Sequence, residues 1–232
     1  MLIFKRNFDG LKSELLQGIR EEMASINSIR GGMLPDRIYE NVEDALREEQ
    51  KLVYSKSKMI RFMSVSAINI LSKTLASISG ENQKTILLLL LSPKQKQLLK
   101  KRCEQLHEYE GEAAEKLRGE IIRSICKAYE IRSEYPGKRM NILIRFHREI
   151  PLSRIELANG VLYLSYYLSQ KSQSDKGPVM MYSEDSRVYD IYHTYFNDMW
   201  ESAEDEIDLA RYNHISDLER HIDYLFNDAG QK

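Results

Sequence analysis

The chain has 232 residues, 42% hydrophobic and 30% charged, enough to bury the core of one large domain with helical extensions. Its 34 basic and 35 acidic residues are interspersed and leave a formal net charge of -1, which excludes a global electrostatic pull toward nucleic acid or anionic membrane. The two cysteines, Cys103 and Cys126, lie in predicted helices without metal-ligand spacing, so reduced thiols in a reducing compartment are expected rather than a disulfide.

The first residues, Met-Leu-Ile-Phe-Lys-Arg-Asn-Phe-Asp, set apolar side chains ahead of charge and hold no apolar run of signal-peptide length. The longest apolar run, 86–91, falls far short of the roughly 20 residues that span a bilayer, so a cytoplasmic protein without membrane association is expected. Residues 8–29 place Phe8, Leu11, Leu15, Ile19, Met23 and Ile26 at three- and four-residue steps, with Lys12, Glu14, Arg20 and Glu21 opposite. That is an amphipathic helix in need of a surface, either its own domain or a dimer or partner protein. Gly31 and Gly32 end it and Pro35 opens the next segment. Residues 1–34 are read as this docking or dimerisation unit. They are too short for a three-helix DNA-reading module, and no direct nucleic-acid reader is evident.

A helix is predicted over 37–54, with Ile38, Val42, Ala45, Leu46 and Leu52 in step. Met59, Ile60, Phe62, Met63 and Val65 then form an apolar segment of strand length, and a helix follows over 67–78. The leucine run at 84–91 has helical propensity, yet Ser92-Pro93 closes it after a few residues and a helix start follows directly, so it reads as a strand. Strands apolar on both sides and separated by a helix point to parallel pairing under helices on both faces. From 94 to 134 the apolar residues Leu98, Leu99, Leu106, Leu117, Ile121, Ile122, Ile125, Ala128 and Tyr129 keep helical step. Gly111 and Gly119 interrupt them, giving two helices or one kinked helix.

Pro136-Gly137 stops that region, and four strands follow at 140–146, 153–158, 161–168 and 177–182, each bounded by turn formers. From Ser186 an amphipathic helix carries Val188, Ile191, Tyr192, Tyr195, Phe196, Met199, Trp200, Ala203 and Ile207 on one face. Ile207, Ile215, Leu218, Ile222 and Leu225 then argue for a C-terminal helix, with a frayed end. The expected fold is α/β, a mixed β-sheet covered by helices on both faces, with amphipathic helical extensions at both termini. Its domain spans 35–205, and 206–232 is the C-terminal helix and tail.

At 152–165, the run Leu152-Ser-Arg154-Ile-Glu156-Leu-Ala-Asn159-Gly160 followed by Val161-Leu-Tyr-Leu-Ser165 resembles the strand–turn–strand of the phospholipase D-like superfamily. Active members of that superfamily carry His-x-Lys-x4-Asp there. Residues 60–66, the leucine run with Ser92-Pro93, Ile144-Arg-Phe and Ile150-Pro151 resemble its neighbouring strands. Gly177-Pro-Val-Met-Met-Tyr with the helix ending Tyr195-Phe-Asn-Asp-Met-Trp200 resembles the close of its sensor-type domains in bacterial transcription regulators. The likeness covers about residues 35–205. The resemblance usually implies a linked DNA-binding domain, and none is expected within these 232 residues.

Placing Asn159-Gly160 on the motif's Asp-Gly puts Leu152 at the nucleophile, Arg154 at the lysine and Asn159 at the aspartate. Leucine cannot attack phosphorus, so the resemblance implies a degenerate motif: no catalytic residue, no metal and no cofactor. Residues 152, 154 and 156 share one strand face. Arg154 then either offers its fork to a phosphate or carboxylate or is neutralised by Glu156. Ser165, Tyr182 and Ser183 are placed near the strand ends where this fold keeps its site. They join Arg154, Glu156 and Asn159 as candidate ligand-binding residues.

His147 is five residues too early for the motif and is read as a surface or hydrogen-bonding side chain. His193 is read as solvated, and His107, His214 and His221 have no metal spacing. Seven of the fourteen tyrosines, Tyr163, Tyr166, Tyr167, Tyr182, Tyr189, Tyr192 and Tyr195, cluster within residues 163–195 of the final third, as core packing or as a stacking pocket for a flat ligand. The resemblance implies a non-catalytic sensor or interaction subunit of a bacterial regulatory or defence-type assembly, homodimeric or joined to a partner protein through its terminal helices. The alternatives are a phosphodiesterase or nuclease with a relocated or dimer-shared site, and a structural adaptor.

Overall fold

The computed structural model describes residues 32–73, 83–105, 112–135, 139–167 and 177–226. The amphipathic helix expected over 8–29 lies outside them. The described chain runs β1 (Arg37–Tyr39), α1 (Val42–Ala45), a π-helical turn (Leu46–Gln50), α2 (Lys51–Lys56), β2 (Met59–Ser64), α3 (Ile68–Lys73), β3 (Lys84–Leu91), α4 (Lys96–Gln105) and α5 (Ala113–Glu134). It continues with β4 (Met140–His147), β5 (Ser153–Ala158), β6 (Val161–Tyr166), β7 (Val179–Ser183), α6 (Arg187–Ser202), β8 (Glu204–Asp208), a 3-10 turn (Leu209–Arg211) and α7 (Ile215–Phe226).

The strands form one mixed sheet of eight, in the order β1-β7-β6-β5-β2-β3-β4-β8. Its centre is parallel: Ile60 stands beside Ile86 and Ile86 beside Ile142. Both flanks are antiparallel. The leucine run is therefore the middle strand of the parallel core, and Leu88 to Leu91 are fully buried. Continuous apolarity here reflects cover on both faces, the arrangement that parallel strands require.

One face carries Ile60, Phe62, Ile86, Leu88, Ile142, Ile144 and Tyr163 beneath Tyr54, Leu71, Leu99, Ile121, Ile125, Leu218 and Ile222 of the helices α2, α3, α4, α5 and α7. Among the described residues, the other carries Met63, Leu89, Ile155, Leu157, Leu162 and Leu164 under α6, through Val188, Phe196 and Met199. Helix α6 begins where Ser186, its N-cap, accepts a hydrogen bond from the Val188 N–H at 3.2 Å, satisfying one orphan donor of the first turn. The Ser186 hydroxyl also donates to the Gly32 carbonyl at 2.5 Å, tying the segment before β1 to the start of α6.

Several expected boundaries are corrected. Residues 37–39 are an edge strand against β7 rather than helix, and Ile38 is exposed. The π-helical turn at 46–50 adds rotation to the helix that follows. Its buried face therefore passes from Val42 and Ala45 to Gln50, Val53 and Tyr54, and Leu52, expected in the stripe, is 55% exposed. Gly119 lies within an unbroken α5 rather than interrupting it. The α6 stripe ends at Ser202, and Ile207 is a buried residue of β8 opposite Ile144. A domain edge at 205/206 thus falls inside a strand of the sheet. Helix α7 packs on the same domain, with Phe226 edge-on to Phe146 at 5.2 Å.

Cys103 is buried, Cys126 is half-buried, and both are free thiols. No helix among the described residues is long and apolar enough to cross a membrane.

Candidate functional site

The hairpin β5–β6 turns on Asn159 and Gly160, whose φ angles of 49° and 75° are both left-handed. Two such residues make the primed turn that matches strand twist, and Asn-Gly is its commonest sequence. The turn fixes the register, setting Arg154 opposite Ser165 and Glu156 opposite Tyr163. Arg154 and Glu156 consequently face the helical layer beside Phe62 of β2.

There they are closed in. Arg154 Nε lies 2.8 Å from Glu156 Oε1, and the two side chains are 3% and 2% exposed. Arg154 Nη2 donates to Ser165 Oγ at 3.3 Å. The second oxygen, Glu156 Oε2, accepts from Gln50 Nε2 at 2.7 Å and from the Tyr54 hydroxyl. Gln50 Nε2 lies 2.7 Å from the Tyr54 hydroxyl as well, so the three side chains form a closed triangle. Burial, followed by the Glu156 charge, drives the Tyr54 pKa well above its ordinary value, so Tyr54 is a neutral donor. The edge-on rings of Phe62 and Tyr163, 5.7 and 6.1 Å from Tyr54, seal the cluster. Such a network meets a buried charge with an opposite charge and hydrogen bonds, which is the condition for keeping it in a core.

Of the predicted ligand-binding residues, the structure brings together Arg154, Glu156 and Ser165 only. Asn159 sits at the other end of the hairpin, with Ser183 nearby, since Ser183 pairs with Val161. The Ser183 N–H is taken by Asp36 Oδ2 at 2.6 Å. Tyr182 is buried on the opposite sheet face among the residues under α6. Leu152, at the expected nucleophile position, is 77% exposed.

The tyrosines divide between the faces. Tyr163 joins the Glu156 cluster, whereas Tyr182, Tyr189, Tyr192 and Tyr195 pack with α6. Tyr167 lies under the Arg102 guanidinium, 4.5 Å from ring centre, and its hydroxyl is 2.8 Å from Ser64 Oγ. Gln50 and Tyr54 escaped sequence reasoning because the π-helical turn puts them outside the regular stripe. A glutamine and a tyrosine four residues apart were the visible signal.

His147 is a correction too: it is 1% exposed, at the end of β4. Burial lowers its pKa to about 4 against a smaller opposing pull from the backbone at Glu149 and Ser64. His193 is stacked on Tyr189, with ring centroids 5.7 Å apart. Among the described residues no group of His, Cys, Asp and Glu side chains is placed to hold a metal ion.

The His147 environment gives a signed pH dependence. Between its folded pKa of about 4 and an unfolded value near 6.5, the unfolded chain binds the extra proton. Stability present above pH 6.5 is therefore lost as pH falls toward 4, by about 2 kcal/mol at pH 5. Chemical denaturation of wild type and His147→Phe at pH 7.5 and 5 reads this directly. The wild type is expected to lose about 2 kcal/mol more than the variant over that interval, and equal losses would refute it.

No protein-family model and no curated protein matches the sequence. Among solved structures, the chain is similar to TrmBL2, described as an archaeal chromatin protein with a novel mode of DNA binding. Identity is 12%, TM-score 0.38, and the match covers 86% of this chain and 67% of TrmBL2. It is also similar to Nuc from Salmonella typhimurium, a phospholipase D family member, at 12% identity and TM-score 0.40 over 73% of this chain and 95% of Nuc. A third likeness is to NucT from Helicobacter pylori, at 9% identity and TM-score 0.40, covering 72% and 96% of the two chains.

Proposed function

We propose that this chain is a non-catalytic binding subunit of a regulatory or defence-type assembly, taking a small anionic or nucleotide-like ligand or a partner protein. The observation that carries the reading is the Arg154–Glu156 pair. Phosphoryl transfer requires a nucleophile and a cation free to neutralise the equatorial oxygens. Here the cation position is an arginine already held by a carboxylate in the core, and the nucleophile position is an exposed leucine. On the motif placement read from the sequence, Arg154 and Glu156 act as a structural brace between β5, β6 and the helix α2.

The test is phosphodiester turnover by the purified full chain, with bis(p-nitrophenyl) phosphate and single-stranded DNA as substrates across acid to alkaline pH, with and without divalent cations. Rates indistinguishable from buffer are expected. Turnover that follows the protein through purification and is lost on replacing one of its histidines would overturn the reading in favour of a relocated active site.

A further inference from the structure

At the hairpin end of the sheet opposite Arg154, a recess of about 340 Å³ opens between the start of β2, the β5–β6 turn and the first turn of α6. Its walls include Lys56, Lys58, Arg61, Asn159, Gly160 and Tyr189. Lys56 and Lys58 are exposed and Arg61 half-buried. None of the three has a salt-bridge partner among the described residues. Three basic side chains lining one recess repel one another, and a bound anion would offset that repulsion.

The backbone at this end is fixed rather than adaptable. Asn159 and Gly160 are held left-handed by the hairpin, and a Cβ at position 160 would stand 2.7 Å from Glu184 Oε2. Glu184 is thus a carboxylate at the turn, and with Asp190 it acts on Tyr189, so three basic side chains face two acidic ones around the recess. Tyr189 adds an aromatic ring held in place by its stack on His193. Its position close to Arg61 is reflected in the opposing pull of Arg61 on a phenol whose pKa burial raises.

We propose that this recess binds a phosphate-bearing small molecule of about mononucleotide size, with Arg61 forking the phosphate, Lys56 and Lys58 supplying charge, and Asn159 and Tyr189 contacting the remainder. Size and charge select this class. The volume lies at the lower end of the range for small-ligand sites, roughly 300–1,000 Å³, and a guanidinium with two ammonium groups suits one or two phosphates. A polynucleotide would need a longer basic track, and the chain's net charge of -1 supplies none overall. This assignment gives the binding role proposed above a site, while remaining separable from it: phosphodiester turnover would sink the non-catalytic reading and leave this recess standing.

The experiment is calorimetric titration of the full chain with pyrophosphate, ADP and a single-stranded oligonucleotide, in wild type, Arg61→Ala, Lys58→Ala and Ser165→Ala. ADP and pyrophosphate are expected to bind, with affinity falling about tenfold or more in Arg61→Ala and Lys58→Ala and unchanged in Ser165→Ala. Arg61 and Lys58 lie at the surface, and an unchanged melting temperature verifies folding. Absence of binding at millimolar ligand, binding that depends on Ser165 instead, or tighter binding of the oligonucleotide than of ADP would each overturn the proposal.

Discussion

Arg154→Ala is expected to destabilise the protein by about 3–5 kcal/mol, because it strands a carboxylate in the core, and the melting temperature should fall by about 10 °C or more. The reason is the asymmetry of buried pairs. Glu156 is 2% exposed and cannot turn to water when its partner is removed. Gln50 and Tyr54 still donate to it, yet neutral donors replace only part of a guanidinium. Replacing both charges, as Arg154→Met with Glu156→Leu, should recover much of the loss while leaving the Tyr54 hydroxyl and Gln50 amide without their acceptor. Adding Tyr54→Phe together with Gln50→Leu, which share the bond between Gln50 Nε2 and the Tyr54 hydroxyl, should recover more. This ordering, single worst and fully apolar best, distinguishes a brace from an open anion site. Guanidinium denaturation of the three variants measures it, and an Arg154→Ala cost within about 1 kcal/mol of zero, the value typical of exposed pairs, would refute the buried-brace account. The same result has a practical consequence: loss of ligand in Arg154→Ala would report unfolding as readily as a site, so Ser165→Ala is the control for this end of the sheet.

The parallel core was legible in the sequence because its evidence is local. The leucine run needs both faces covered, and Ser92-Pro93 limits its length. The Asn159-Gly160 turn likewise announced the β5–β6 hairpin and, through it, the facing of Arg154 and Glu156. What escaped depends on neighbours far along the chain. β8 reads Glu-Asp-Glu-Ile-Asp, the composition of a solvated helix end. It is an edge strand, where charge guards against further pairing, and only Ile207 reaches the core. The acids of this strand are used: Glu206 pairs with Arg145 at 2.8 Å, and Arg145 also donates to the Trp200 carbonyl at 2.9 Å while lying over its ring. One arginine thus joins β4, β8 and the end of α6. The basic recess was invisible for the same reason, since Lys56, Lys58 and Arg61 meet Asn159 and Tyr189 only after the sheet has formed.

Lys84 carries this point furthest, and its replacement is the second large effect expected. A lysine opening a strand reads as a solvated end, yet this one is 0% exposed. Its Nζ donates to the Tyr54, Ser55 and Ser57 carbonyls at 3.1, 2.8 and 2.9 Å. These are carbonyls at the C-terminal end of α2, where orphan acceptors and the negative end of the helix dipole both favour a cation. No carboxylate pairs with it among the described residues, so three backbone dipoles do the work of a counter-ion. Burial still lowers its pKa below the ordinary lysine value. Lys84→Met keeps the length and apolar stem but leaves the Ser55 and Ser57 carbonyls without this donor and the Tyr54 carbonyl with the Ser57 N–H at 3.2 Å. With about 1.5–3 kcal/mol for a hydrogen bond to a charged group, and less than additive losses across three, a cost of about 4 kcal/mol is expected. Lys84→Arg should not rescue, because a planar fork cannot point its donors at three carbonyls around one nitrogen. Because the capped helix also supplies Tyr54 to Glu156, Lys84→Met and Arg154→Ala should be non-additive in a double-mutant cycle. Additive losses would show that the α2 cap and the Arg154 brace stabilise the fold independently.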